Sequence, residues 1–227
     1  MNKLKTIGIG GQAAAGKDSI ANYLVSKLNK NPPERCIEPA KQWNGLRPTR
    51  QNIYLEDEWC RNAFAEAVKN VFEQTFQVDR DFIEYWKRQN NPPEGFLKPV
   101  RDCLITIGDG FRKMKANIWI DLAFRDQKQN QILADLRYIN EANYIKDIGG
   151  ITILLWRPKF ENNIPNDSEQ QLMPYVRKLA EYKIEGEIPK DLDIPFDLFV
   201  INNAEIEDLY NKADNIVMPY LIKQKFI

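Results

Sequence analysis

The chain has 227 residues, enough to bury a substantial core, and we read it as one domain with a mobile insertion. Its 32 basic and 32 acidic residues cancel, so no global field draws it to a nucleic-acid polymer or an anionic membrane, and neither partner is expected. Histidine is absent, which excludes imidazole acid–base chemistry, His-based triads and histidine metal sites but leaves phosphoryl transfer open, because that reaction depends on positioning and positive charge. Cys36, Cys60 and Cys103 are widely spaced and odd in number, so neither a zinc site nor a disulfide framework is suggested, and a reducing cytoplasm fits best. No secretory h-region and no apolar run long enough to span a bilayer is present.

Residues 6–9 read as a first strand, followed by Gly11, Gln12, Ala13, Ala14, Ala15, Gly16 and Lys17. This is the spacing of a phosphate-binding loop: glycines let successive backbone N–H groups turn around an anion, and small residues keep the cavity open. The spacing of Ile20, Leu24 and Leu28 predicts a helix over 17–28 whose N-terminal amides face the same anion. Lys17 then reaches the β and γ phosphates of a bound nucleotide. Asp18 stands where a hydroxyl usually holds Mg²⁺; a carboxylate there binds the ion's water shell or repels phosphate, and Ser19, one place later, is the better phosphate contact.

Asn31-Pro32-Pro33 stops that helix near Asn29, and residues 39–53 read as a loop. An apolar ladder through Phe64, Val68, Phe72 and Phe76 predicts a helix over about 56–76, followed by a charged segment. Pro99 is placed to open another helix with Leu104 and Ile107 inward, which Gly108-Asp109-Gly110 is expected to interrupt with a turn before Phe111-Arg112-Lys113. A helix continues through Ile118, Leu122 and Phe124. A buried strand is expected over 131–134, ending at Asp135, then a short helix over 141–148, a turn at Gly149-Gly150 and a strand over 151–156. Residues 157–196 are irregular and proline-rich around a short helix at 170–182; a last core strand at 199–201 precedes Asn202-Asn203 and a helix over 206–213. Alternating strands and helices imply an α/β fold with a mostly parallel sheet covered on both faces, and ligands at the carboxyl ends of its strands.

Asp135 and Arg137 fall at such an end, where the carboxylate can orient Mg²⁺ water or substrate and the guanidinium can neutralise an acceptor phosphate; the plainer reading is an ion pair bracing the turn. Arg101 and Arg112, on either side of the expected turn, are chemically apt to grip one monophosphate, with solvent-exposed helix charges as the alternative. Lys69 is divided between a substrate contact and a solvated helix face, and Phe111, beside Arg112, between stacking on a base and packing. Arg157 opens the proline-rich segment that also holds Lys159 and Lys178.

Gly16-Lys17-Asp18-Ser19, Phe64-Ala65-Glu66-Ala67-Val68-Lys69, Val100 to Gly108 leading to Phe111-Arg112 and Trp119, Ala134-Asp135-Leu136-Arg137 with Gly149-Gly150 and Arg157, and Val200-Ile201-Asn202-Asn203 occur in one order along nearly the whole chain. Together they resemble the deoxynucleoside monophosphate kinases of tailed bacteriophages and their bacterial relatives, a branch of the P-loop nucleoside-monophosphate kinases. Gly108-Asp109-Gly110 departs from that family's Gly-Thr-Asp or Gly-Thr-Glu, and Asn202-Asn203-Ala204 from its Asn-Asp-Gly. Asp167-Ser168-Glu169 is what remains of its His-x-Ser-Glu-like segment.

The resemblance implies a single P-loop kinase-like three-layer domain with a substrate-binding helical region over about 56–128 and a lid-like segment over about 157–196 whose positive charge crosses the transferred phosphoryl group. It implies ATP and Mg²⁺ as cofactors, a nucleoside monophosphate as small-molecule partner, and the cytoplasm as location, the host's if the chain is phage-encoded; a homodimer is left open. Lys17, Arg137 and Arg157 are the catalytic candidates, the loop 11–19 with Asn202 and Asn203 the nucleotide site, and Asp18, Ser19 and Asp135 the metal site. Lys69, Arg101, Phe111, Arg112, Asp135 and Arg137 are then the acceptor site. Two alternatives keep the same loop: a kinase for another small metabolite, and an ATP-binding structural or regulatory protein without transfer.

Overall fold

The computed structural model describes residues 4–29, 58–125, 127–158 and 170–227. Expectations for the Pro-Pro stop at 32–33, the loop at 39–53, Cys36, Lys159 and the 167–169 segment lie outside the described residues. The chain divides into two compact units, one formed by residues 1–62 with 128–227 and the other by 63–127.

The first unit is built on a mixed α/β sheet. Its strands are β1 (Thr6–Gly11), β2 (Trp59–Asn62), β3 (Asn130–Leu136), β4 (Ile151–Trp156), β5 (Gly186–Glu187) and β6 (Leu198–Ile201). They lie in the order β2-β3-β1-β4-β6-β5, parallel except for β5, which runs antiparallel to β6 at one edge. Every residue of β1 is buried, as befits a central strand covered on both faces.

Helix α1 (Lys17–Leu28) carries the expected apolar face, burying Ile20, Ala21, Leu24 and Val25 in one cluster with Ile7 and Ile9 of β1. Each fully buried aliphatic side chain of this kind stabilises the fold by about 2 kcal/mol. The C-terminal elements join the same layer: Leu209 of α8 (Ile206–Lys212), Ala213 and Val217 of a π-turn (Ala213–Val217), and Leu221 of α9 (Met218–Lys223). Tyr210 stacks on Tyr23 of α1 with ring centroids 4.3 Å apart. On the other face, Ile145 of α6 (Ile139–Asp147) and Leu172, which precedes α7 (Met173–Glu181), approach Gly8 and Gly10 of β1. The sheet is therefore flanked by helices on both sides.

The neighbours of β1 in the sheet are β3 and β4, although β2 follows it in sequence. The chain leaves β1 toward one side and returns later to build the other, which opens a crevice at the carboxyl end of β1. The β1·β3 register shifts by one residue between Gly8 and Gly10, opposite Leu133 and Leu136. Such an extra residue re-aims neighbouring side chains, and here it falls on the stretch holding Asp135.

The second unit is helical: α2 (Phe64–Phe76), α3 (Arg80–Trp86), α4 (Val100–Met114) and α5 (Ile118–Arg125). Phe72, Ile83 and Val100 are fully buried in its core, with Phe82, Trp86, Phe96, Leu104 and Ile107 packed around them. Asp79 caps α3 by accepting from the Phe82 N–H at 2.7 Å.

Several boundaries differ from the sequence reading. The helix expected from about 56 starts only at Phe64, because residues 59–62 pair in parallel with residues 130–133 of β3. Strand formation there is a tertiary effect that local periodicity does not contain. The charged segment after Phe76 contains α3, which is too short for its apolar period to stand out. Strand β3 runs on through Asp135 to Leu136. The turn expected at Gly108-Asp109-Gly110 does not occur: α4 passes straight through it. Two glycines weaken a helix by about 1 kcal/mol each, but packing offsets this locally. Gly108 is buried and its carbonyl accepts the indole N–H of Trp119 at 2.9 Å.

Gly110 provides the check on a continuous α4. A β-carbon added there meets nothing within 4 Å and the residue is not among those with positive φ. Gly110→Ala is expected to raise stability by about 0.5–1 kcal/mol in urea unfolding; a loss of stability instead indicates a left-handed turn at this position.

Candidate functional site

Strand β1 ends against β4 so tightly that its last residue has no room for a side chain: a β-carbon on Gly11, at φ 146°, lies 2.1 Å from the Leu155 carbonyl oxygen. The chain therefore leaves the sheet through glycine and loops over its carboxyl edge. Ala15 N–H donates back to the Gln12 carbonyl at 3.3 Å, and Ala14 takes a left-handed φ of 58°. Gly16 then enters α1 at φ 97°, where a β-carbon comes within 2.9 Å of both Asn202 Nδ2 and Leu209 Cδ2. The N-cap of α1 is Gly16, which has no side chain to cap the first turn, and helix geometry directs the first amides toward the loop. Lys17 folds over this hollow, its ammonium donating to the carbonyls of Gly11 at 2.8 Å and Gln12 at 2.6 Å. A glycine-bounded loop before a helix N-terminus, with a cation at its mouth, is an arrangement that can bind an anion.

The loop is braced from β4 and β6. The Gln12 side chain is buried and its Nε2 donates to the Arg157 carbonyl at 2.7 Å. The Arg157 guanidinium in turn donates to the Ala14 carbonyl at 3.3 Å, which sets a second positive charge on the loop. Asn202 is buried beneath the loop, its Nδ2 donating to the Ala15 carbonyl at 2.8 Å and its backbone N–H to the Trp156 carbonyl at 2.7 Å. Asn203, its neighbour, is exposed. Lys212 holds the end of β6 by donating to the Ile201 carbonyl at 2.7 Å and to Glu185.

Asp18 is exposed at the start of α1, and its carboxylate is paired with the guanidinium of Arg61 on β2. Ser19, half-buried, follows one residue on. Among the described residues no three His, Cys, Asp or Glu side chains gather into a metal-holding group. A magnesium ion carried by nucleotide phosphates keeps several waters and needs only one or two protein oxygens, so the donors Ser19 and Asp135 are compatible with it. The cradle closed by Gly11 and Gly16 likewise suits a nucleotide's phosphate chain.

Asp135 lies partly buried near the end of β3, and Arg137 follows the strand. Arg137 is positioned through its backbone: its N–H donates at 2.9 Å, and that of Tyr138 at 3.1 Å, to the buried carboxylate of Glu141. Glu141 thereby fixes the junction between β3 and α6. Its role was hidden in the sequence, where the predicted helix starts at Glu141 itself; the helix begins at Ile139, which puts Glu141 three residues after its cap Tyr138. Arg61 was also missed, because the segment carrying it reads as helix in isolation.

In the helical unit, Lys69 is only 16% exposed and bridges Glu66 at 2.8 Å and Glu84 at 2.9 Å. Arg80 joins the group through Glu66 and, at 2.5 Å, Glu73. Burial works against the Lys69 ammonium, but the two glutamates outweigh it and hold its pKa above the usual lysine value. Burial also opposes the Glu84 carboxylate, yet Lys87 and Lys69 pull its pKa down to about 2. On α4, Arg101 is exposed, Phe111 is 37% exposed with its ring 5.6 Å from that of Trp119, and Arg112 lies 3.6 Å from Asp109. Because α4 is continuous, Arg101 and Arg112 do not flank a turn; they share a face about 16 Å apart along the axis, so the pairing expected from the turn is corrected.

No protein-family model matches the chain. A protein of Acanthamoeba polyphaga mimivirus described as "Putative deoxynucleotide monophosphate kinase" is 22% identical over 230 residues, spanning 93% of this chain and 95% of that protein. A solved structure described as "a putative kinase from chloroflexus aurantiacus" covers 99% of both chains at 11% identity, with a TM-score of 0.34. Among the described residues no helix is long and apolar enough to cross a membrane. What the sequence similarity supports is a distant, general relationship to P-loop-type kinases.

Two outcomes follow from these contacts. Asn202→Ala removes a buried bond to the loop and is expected to cost about 1–3 kcal/mol in urea unfolding; unchanged stability means that the loop is not held from β6. The Glu84 carboxyl, lowered from 4.5 to about 2, contributes stability that is full above pH 4.5 and fades as the pH falls toward 2. The stability difference between wild type and Glu84→Gln should therefore shrink across that window, and a pH-independent difference contradicts the ion-pair assignment.

Proposed function

We propose that this chain transfers the γ-phosphoryl group of ATP to the 5′-phosphate of a deoxynucleoside monophosphate, yielding ADP and a deoxynucleoside diphosphate. The observation that carries the reading is Lys17, held by the Gly11 and Gln12 carbonyls at the N-terminus of α1 on the sheet's carboxyl edge. The full-length similarity to the mimivirus protein supports the same class of reaction.

In this reading the loop amides and Lys17 bind the β and γ phosphates, because they present positive potential, and the small side chains of Ala13, Ala14 and Ala15 leave room for the ligand. Magnesium, when bound with the nucleotide, neutralises phosphate oxygens and holds them in line. Arg157, already resting on the Ala14 carbonyl, stands beside the loop where charge on the transferring group is greatest. Asp135 and Arg137 sit at the neighbouring strand end, the guanidinium serving to receive the acceptor's phosphate and the carboxylate to orient water or substrate. For Phe111 and Arg112 we propose a ligand contact of the helical unit taken by itself; within that unit Arg101 is exposed and Lys69 is already engaged by glutamates. An acceptor phosphate oxygen attacks the γ phosphorus while the bond to the β-bridging oxygen breaks. The acceptor is already anionic, so no protein general base is required.

ADP release measured with each deoxynucleoside monophosphate should show acceptor-dependent turnover. Lys17→Ala should lower kcat by at least about a hundredfold with unchanged circular dichroism, since it removes a preorganised charge from the migrating group. ATP consumption that no nucleotide acceptor alters would overturn the assignment, and near-normal turnover of Lys17→Ala would remove the lysine from the mechanism.

A further inference from the structure

The residue after Lys17 poses a physical problem. Asp18 occupies the first turn of α1, where a carboxylate favours the helix dipole. That same turn is the proposed seat of a polyphosphate, and an exposed anion beside it repels the ligand. The side chain is 73% exposed, so burial does not silence it.

The answer lies on β2. Arg61 pairs with Ile132 of β3 in the strand register and extends its guanidinium onto the Asp18 carboxylate. The strand is held so that it can do this. Asn29, at the far end of α1, accepts from Trp59 N–H at 2.8 Å and donates to the Trp59 carbonyl at 2.9 Å. Asn62 donates to the side chain of Gln131 on β3 at 3.0 Å. Thus β2 is tied to α1 at one end and to β3 at the other, with Arg61 between. At 40% exposure an ion pair contributes little to stability, so the pair's main effect is on local charge. Lys17, Arg157 and Asp18 together leave one net positive charge at the loop; Arg61 offsets Asp18 and raises it to two.

We infer that Arg61 is a positioning residue for the nucleotide, neutralising Asp18 so that the first turn of α1 accepts phosphate. The inference rests on the kinase reading above and adds to it a residue that never needs to touch the ligand. It makes Asp18 a paired surface group rather than an ion ligand, and it makes the effect of Arg61 conditional on Asp18.

The test is a double-mutant cycle on the full chain, with ATP binding measured calorimetrically in EDTA so that no metal intervenes. Arg61→Ala should weaken ATP binding by about tenfold or more. Against an Asp18→Asn background the same change should matter by less than about threefold, because no carboxylate remains to be neutralised. Arg61→Lys, which keeps the charge, should stay near wild type and guards against a folding defect in the alanine variant. A merely structural pair lowers the melting temperature of Arg61→Ala and Asp18→Asn alike without this conditional change in affinity. Equal losses in both backgrounds mean that Arg61 contacts the nucleotide directly and overturn the inference, as does unchanged affinity in Arg61→Ala. Failure of folded wild-type protein to bind ATP overturns the kinase reading itself and this inference with it.

Discussion

The carbonyl oxygen of Leu155 decides how the chain leaves its central strand. With β1 and β4 paired through Gly11 and Leu155, any side chain on Gly11 collides with that oxygen. The backbone must therefore turn out of the sheet at a conformation that other residues rarely adopt. The hollow of amides, the seating of Gly16 against Asn202 and Leu209, and the entry of α1 are downstream of that contact. So is the location of the loop at the carboxyl edge between β3 and β4, where an open parallel sheet offers a crevice.

Charge is then brought to this edge from several elements. Lys17 comes from α1, Arg157 from the end of β4 and Arg61 from β2, each engaged by a carbonyl or carboxylate beside the loop. A chain of zero net charge thus gathers three basic side chains at one edge of its sheet. In the proposed function these groups are oriented before an anion binds, so little ordering remains for that step. The helical unit spends its charge differently: Lys69, Arg80 and Lys87 are paired internally with Glu66, Glu73 and Glu84.

The features legible in the sequence were those encoded locally. The glycine spacing and the Ile20, Leu24, Leu28 period marked the loop and α1 to the residue, and the apolar run at 151–156 marked β4. What the sequence concealed depended on distant partners. Strand β2 exists because β3 is there to pair with it, and with β2 unseen, Arg61 had no reason to be placed near Asp18. Gly108 and Gly110 looked like a break because their propensity is poor, while the burial and indole contact that retain Gly108 in α4 come from Trp119 eleven residues away. Asn202 was recognisable as a loop-end polar residue, but its bond to the Ala15 carbonyl spans 187 residues of sequence.

The proposed function depends on residues 11–19 forming an anion cradle for a nucleotide's phosphates. Titrating ¹⁵N-labelled protein with ATP and following the backbone amides addresses it directly. Saturable shifts should be largest at residues 13–19, with smaller changes at Arg157 and Asn202. Shifts that do not saturate, or that cluster away from the loop while residues 13–19 stay unmoved, contradict it.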